Sequence, residues 1–279
     1  MKLIRLPFYF LGLLPYNFIH ATLGKLLFFK ISRVFKYRQG VIVQNLSRAF
    51  PEKNYGEIKS LTSEFYRFFG ALLIDSIYLF SWQRQICLKR VNFTNIEVLL
   101  PYVDDKRQIV CLLGHFGNWE YLNALPHFLP CPVNAAYKPL SNRLVDRMML
   151  DVRGRFGLRL IPNTQILRCL LKQKGTPQFS FFIADQFPGR DQGHPVHFLN
   201  QPTTMFNGAE KIARALDAVV CYLDMNKGID GVWNMRFSIL SESGAAAAPG
   251  EITQKFAGAL EQSIVADPAI WLWSHKRWK

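Results

Sequence analysis

From Met1 through Pro51 the chain has no aspartate or glutamate, while Lys2, Arg5, Lys25, Lys30, Arg33, Lys36, Arg38 and Arg48 are all cationic. Those eight account for more than half of the formal net charge of +14. A cationic segment beside an apolar one points to an anionic membrane surface. Interleaving of charge with aromatics along a sheet, as nucleic-acid binding requires, is missing. Cysteine is also scarce: Cys87, Cys111, Cys131, Cys169 and Cys221 form no CxxC pair and are odd in number. A disulfide scaffold is thereby excluded, and the cysteines read as small buried hydrophobes of a reducing compartment. No GxxxxGK[ST] or GxGxxG occurs, so no nucleotide cofactor is indicated, and no other cofactor is. His194 and His197 stand three apart in HPVH, but no cysteine or acidic cluster follows at ligand spacing, so no metal site is expected.

Apolar material is plentiful. Hydrophobic residues make up 49% of the 279, with 23 phenylalanines, which excludes wholesale disorder and suffices for one large domain core. Residues 6–24 contain no charged side chain, and their length approaches the roughly 20 residues of a bilayer-spanning helix. Pro7, Pro15, Asn17 and His20 interrupt them, and no small-residue cleavage site follows. The expectation is an uncleaved anchor that either spans once or lies in the interface, with the alternative that it packs on the protein's own core. The basic residues of 25–38 would hold the chain after them at the cytoplasmic face. The predicted organisation is an anchor with its basic segment at 1–38 and one domain at 39–279.

Residues 57–82 predict a long amphipathic helix, with Leu61, Phe65, Phe68, Phe69, Leu72, Leu73, Ser76 and Leu79 at three- and four-residue spacing. The texture then changes. Strands are predicted at 108–113, 133–137, 159–161, 179–184, 218–224 and 233–240, alternating with helices at 143–156, 165–174, 208–216 and 252–267. This alternation predicts an α/β fold with a mixed, mostly parallel sheet flanked by helices. Residues 241–250 read as a loop. Sites of open α/β sheets lie at the carboxyl ends of strands. Two strand exits carry polar residues: QIVCLL into GHFGNWE, and FSFFIA into DQFPGR.

In the first, His115 follows the strand and one glycine, and Glu120 comes five residues later. With His115 on the strand exit and Glu120 in the first helical turn, the carboxylate would hold one imidazole nitrogen and leave the other to take a proton from a hydroxyl. This is the base–orienter half of a catalytic triad without an enzyme nucleophile, so a substrate alcohol would attack. Gly114 and Gly117 would relieve crowding beside the histidine, and Asn118 would cap the helix.

HFGNWE resembles the HxxxxE/D signature of lysophospholipid-type acyltransferases. More closely, the chain resembles the bacterial lipid A late acyltransferases along nearly its whole length, through VIVQNLSRAFPEKN, CLLGHFGNWE, AYKP, FIADQ, TTMFNGAEKIAR and WLWSHKRWK in that order. The resemblance implies a glycerolipid-acyltransferase-like fold behind an amino-terminal membrane-anchoring helical segment. It implies catalytic roles for His115, Glu120 and Arg153, the arginine stabilising charge at the thioester, with Arg155 two residues on as its alternative. Asn118, Tyr137, Lys138, Arg155 and Asp185 are the candidate substrate-binding residues. It also implies an acyl carrier protein as donor, an anionic glycolipid acceptor, and a place at the cytoplasmic face of a bacterial inner membrane. Trp271, Trp273 and Trp278, beside Lys276, Arg277 and Lys279, fit either headgroup depth or packing next to the site. Two rival readings remain: O-acylation of another bacterial lipid, a lysophospholipid or aminolipid, and a non-catalytic basic membrane- or nucleic-acid-binding module.

Overall fold

The computed structural model describes residues 10–81, 84–189 and 192–278. Lys2, Arg5, residues 6–9, Trp82 and Lys279 lie outside them. A seven-stranded sheet in the order β1-β9-β8-β2-β5-β3-β4 forms the centre. Its strands are β1 (Val91–Phe93), β2 (Gln108–Leu113), β3 (Val133–Tyr137), β4 (Arg159–Pro162), β5 (Gln178–Ile183), β8 (Val219–Lys227) and β9 (Trp233–Ser241). The run β8-β2-β5-β3-β4 is parallel; β9 reverses against β8, and β1 follows β9. All six residues of β2 are buried. This is the continuous hydrophobic pattern of a strand covered on both faces, and it puts the exit of β2 in the middle of the sheet.

The α/β class and mostly parallel sheet match the sequence expectation, with element ends shifted by a few residues. The helix at Gly208–Leu216 packs on β2, and that at Glu251–Ala266 on β8 and β9. The predicted 143–156 helix is Arg143–Arg153, capped by the Asn142 side chain, and the 165–174 helix is Ile166–Leu171. Two features had no legible signal. β1 has only three residues. The hairpin of β6 (His194–Phe198) and β7 (Gln201–Met205) carries prolines and little apolar alternation. Its two-residue turn places Leu199 and Asn200 at φ 51° and 59°, as a type I′ turn requires. Asn200 then donates from its amide to the Ala49 carbonyl at 3.0 Å, which ties the hairpin to the amino-terminal region.

The amino-terminal helices form a layer beside this sheet. Tyr16–Ile19, His20–Gly24, Lys25–Phe29 and Lys30–Val34 succeed one another as alternating α and π turns, here called α1. After α2 (Gln39–Ala49) comes α3 (Tyr55–Tyr78), whose start is set by a capping box between Asn54 and Glu57. Among the described residues no helix is long and apolar enough to cross a membrane. α1 instead packs along α3, with Ile19 buried and Leu23, Leu27, Phe28 and Ile31 against the core. Its other side leaves Phe18, Leu26, Phe29 and Val34 exposed, and Leu13 before it and Phe35 after it are exposed as well.

Candidate active site

His115 sits two residues past the end of β2, where backbone geometry limits what surrounds it. A Cβ at Gly114 would fall 2.6 Å from Leu260 Cδ1 and 3.3 Å from Asp185 Oδ2. Gly117 has φ +67°, and a Cβ there would meet Met225 at 2.8 Å, so this turn needs glycine on two grounds. The carboxyl-terminal segment closes over the same loop. Leu272 N–H donates to the His115 carbonyl and Gly117 N–H to the Ile270 carbonyl, both at 3.0 Å.

The imidazole is held by Asp185, two residues beyond the end of the neighbouring strand β5. Nδ1 donates to Asp185 Oδ1 at 2.6 Å, and the His115 backbone N–H donates to Oδ2 at 2.8 Å. Trp271 Nε1 gives Oδ2 a further hydrogen bond at 2.8 Å. Burial alone would raise the Asp185 pKa. The charge of His115 and the hydrogen bonds from His115 and Trp271 outweigh it and hold the carboxyl below its ordinary range. Three donors on a 3%-exposed carboxylate fix its position, and with it the tautomer of His115. Trp119 packs edge-on to the imidazole, with ring centroids 5.1 Å apart.

Glu120 makes a different contact from the one its spacing predicts. It lies in the first turn of a 3₁₀ helix, Trp119–His127. Its carboxylate accepts from Arg153 in bidentate fashion: Nη2 to Oε1 at 2.5 Å and Nε to Oε2 at 3.1 Å. Burial works against the Arg153 cation, but Glu120 outweighs it and raises the guanidinium pKa. Orientation of His115 therefore falls to Asp185, the residue on the second polar strand exit. The reason is topological: β2 and β5 pair in parallel, Leu113 opposite Ile183, so the residues leaving both strands meet.

Asn118 caps the 3₁₀ helix by accepting from Glu120 N–H at 3.3 Å. It is 1% exposed and donates to Asp75 Oδ2 at 2.8 Å. Asp75 Oδ1 also accepts from Tyr16 Oη and His20 Nε2, each at 3.0 Å. One carboxylate on α3 thus joins α1 to the loop that carries His115. Asp75 is a contributor that sequence reasoning missed, whereas Trp271 fits by sequence either headgroup depth or a place next to the site, and its bond to Asp185 decides for the latter. The signal for Asp75 was present, as the lone acid in the apolar run from Phe65 to Leu79.

Tyr137 and Lys138 line a cavity of about 400 Å³ with Ala184, Gln186 and Phe187. Tyr137 also borders a smaller pocket of about 60 Å³ with Trp119, Glu120 and Arg153. Arg155 lies apart from both. Its Nη1 donates to the carbonyls of Leu79 and Phe80 at 2.9 and 2.8 Å, at the end of α3. Trp271 and Trp273 are buried, so the carboxyl-terminal aromatics pack beside the site.

A family model of bacterial lipid A biosynthesis acyltransferases matches residues 6–279. The chain belongs to that family. It is accordingly an acyltransferase. Similar proteins include a lipid A biosynthesis palmitoleoyltransferase of Escherichia coli strain K12 and a lipid A biosynthesis acyltransferase of Shigella flexneri. Each is 23% identical over 247 residues, covering 88% of this chain and 79% of the relative. A lipid A biosynthesis acyltransferase of Haemophilus influenzae is 23% identical over 132 residues, 47% of this chain and 42% of its own. The rival reading of a basic module without catalysis is set aside by this membership.

Proposed function

We propose that this acyltransferase moves a fatty acyl chain from an acyl carrier protein thioester to a hydroxyl of a lipid A precursor. The observation that carries the mechanism is the fixed His115–Asp185 pair. With Nδ1–H committed to Asp185, Nε2 is the basic nitrogen and takes the proton of the acceptor hydroxyl. The alkoxide oxygen forms a bond to the thioester carbon, and the carbonyl becomes an oxyanion. Arg153, aligned by Glu120 through Nε and Nη2, keeps Nη1 for that charge, worth about 3 kcal/mol for one well-placed donor. Collapse breaks the carbon–sulfur bond, and the imidazolium gives its proton to the departing thiolate, which leaves as the carrier thiol. No enzyme ester forms, since the HFGNWE loop holds neither serine nor cysteine.

The acceptor is reached from the cytoplasmic face of a bacterial inner membrane. Residues 1–38 form the contact with the bilayer, supported by the exposed Phe18, Leu26, Phe29, Val34 and Phe35 among Lys25, Lys30, Arg33 and Lys36. Such a helix lies in the interface with its apolar side in the acyl boundary. Tyr137 and Lys138 border the cavity that receives substrate.

The test is acyl transfer in detergent from an acyl carrier protein donor to a tetra-acylated, Kdo-bearing precursor. Wild type is compared with His115→Ala and Asp185→Asn. Transfer by wild type and its loss in both folded variants supports acceptor and mechanism together. Transfer to a lysophospholipid or aminolipid alone removes the lipid A precursor and keeps the chemistry. Flotation with anionic vesicles, weakened by Phe29→Ser with Phe35→Ser, tests the bilayer contact separately.

A further inference from the structure

A second cavity, of about 390 Å³, shares Phe187 with the one that Tyr137 and Lys138 line. Arg48, Gln201, Thr203 and Trp278 line it, together with Phe187, Pro202 and Thr204, and among the described residues that line it none is acidic. Behind it lies Arg277, which is 0% exposed. Its Nη1 donates to the Thr203 hydroxyl at 2.6 Å, and its guanidinium lies 5.7 Å from the centre of the Phe198 ring. Among the described residues its Nε and Nη2 have no hydrogen-bond partner. Gln201 Nε2 and Trp278 Nε1 are buried without partners as well.

Four nitrogen donors of three adjacent residues are thus left unmet in one place, against the strong tendency of buried polar groups to be paired. Burial pushes the Arg277 guanidinium down to about 10, and the charge of Asp185 counters this in part. It is a cation at neutral pH. Asp185 is already engaged by His115 and Trp271, so among the described residues Arg277 has no carboxylate of its own. A buried cation needs an anion. The missing partner must offer several acceptor oxygens and negative charge, which describes a phosphate group facing a guanidinium fork. Three segments far apart in sequence converge here: SRAFP through Arg48, QPTTM through Gln201 and Thr203, and HKRW through Arg277 and Trp278.

We propose that the cavity bordered by Arg48, Gln201, Thr203 and Trp278, backed by Arg277, binds the phosphate group of a lipid. The phosphate chemistry stands on these donors alone; the lipid as its carrier rests on the acyl-transfer reading. Trp278 also connects the cavity to the catalytic pair, because its ring lies 6.0 Å from that of Trp271, which holds Asp185.

The first measurement needs no turnover. The full chain in neutral detergent is titrated with inorganic phosphate, and with chloride at matched ionic strength, while the unfolding temperature is followed. A ligand that binds only the folded state raises it. Phosphate is expected to stabilise wild type beyond chloride, and Arg48→Gln and Gln201→Leu each to remove most of that excess. Arg277→Met is expected to remove all of it, and if that variant fails to fold the two others decide. Equal effects of phosphate and chloride on wild type overturn the proposal, as does an undiminished phosphate effect in both Arg48→Gln and Gln201→Leu. The second measurement finds the carrier. If it is the acceptor, both variants raise KM for a phosphorylated acceptor on the order of tenfold more than for its dephosphorylated form. If it is a bilayer lipid, they instead weaken flotation with phosphatidylglycerol vesicles. Absence of transfer by wild type to any of these acceptors, with the phosphate stabilisation intact, would refute the acyl-transfer reading and leave this site standing.

Discussion

His115 and Asp185, 70 residues apart in sequence, meet at 2.6 Å because they leave the carboxyl ends of two paired parallel strands. The aspartate also takes the His115 backbone N–H and the Trp271 indole. That makes it the residue on which the proposed base depends. Asp185→Asn presents an amide in place of the carboxylate and withdraws the charge that stabilises the imidazolium. The expected fall in kcat is about 10⁴-fold, the scale on which loss of an orienting carboxylate acts, with KM little changed. Steady-state transfer kinetics checks it, and a fall under tenfold would place the orientation of His115 elsewhere.

The Glu120–Arg153 pair predicts a stability pattern. Glu120→Ala strands a mostly buried guanidinium and costs about 3 kcal/mol, the low end for a broken buried pair because the Arg153 side chain is 30% exposed. Glu120→Met combined with Arg153→Met restores most of that stability while transfer stays lost. Urea unfolding of the three proteins decides. A double variant as unstable as Glu120→Ala would mean that the pair does not account for the loss.

The Asp185 carboxyl has a folded-state pKa below its unfolded value. Its contribution is therefore complete above the unfolded value, about 3.9, and is lost as pH falls through the folded one. Wild type should exceed Asp185→Asn in stability at pH 5, and the gap should shrink as pH drops below about 4. Unfolding free energies at a series of acidic pH values measure it. A gap that widens on acidification contradicts the assignment.

Arg155 is engaged at the end of α3, so Arg155→Gln should lower stability by about 1 kcal/mol, the value of a typical hydrogen bond, and leave KM for donor and acceptor in place. Thermal unfolding beside transfer kinetics separates the two effects. A raised KM at unchanged stability would return Arg155 to substrate contact.

The cysteines are free, and only Cys169 is not fully buried. Burial pushes the thiols of Cys87 and Cys131 up to about 12 and about 11. In the native protein Cys169 should react with a disulfide reagent well before the other four, and all five should react in urea. Fast native labelling of Cys111 or Cys221 would show that the central sheet opens.

The sequence alone determined the α/β class, most strands and helices, and the two polar strand exits, because those properties are local. Continuous apolar runs such as QIVCLL and FSFFIA identify buried parallel strands wherever they lie in a chain. His115 and Glu120 were legible in the HFGNWE strand exit, and the family resemblance added Arg153 and Asp185. Which acid serves which base was decided only in three dimensions. Sequence proximity favoured His115 with Glu120. The parallel pairing of β2 with β5 brought Asp185 to His115, and the end of the Arg143–Arg153 helix brought Arg153 to Glu120. The same holds for Asp75 with Asn118 and for Thr203 with Arg277. Contacts between residues tens of positions apart depend on strand order and register, and no local pattern of hydrophobicity or charge encodes them.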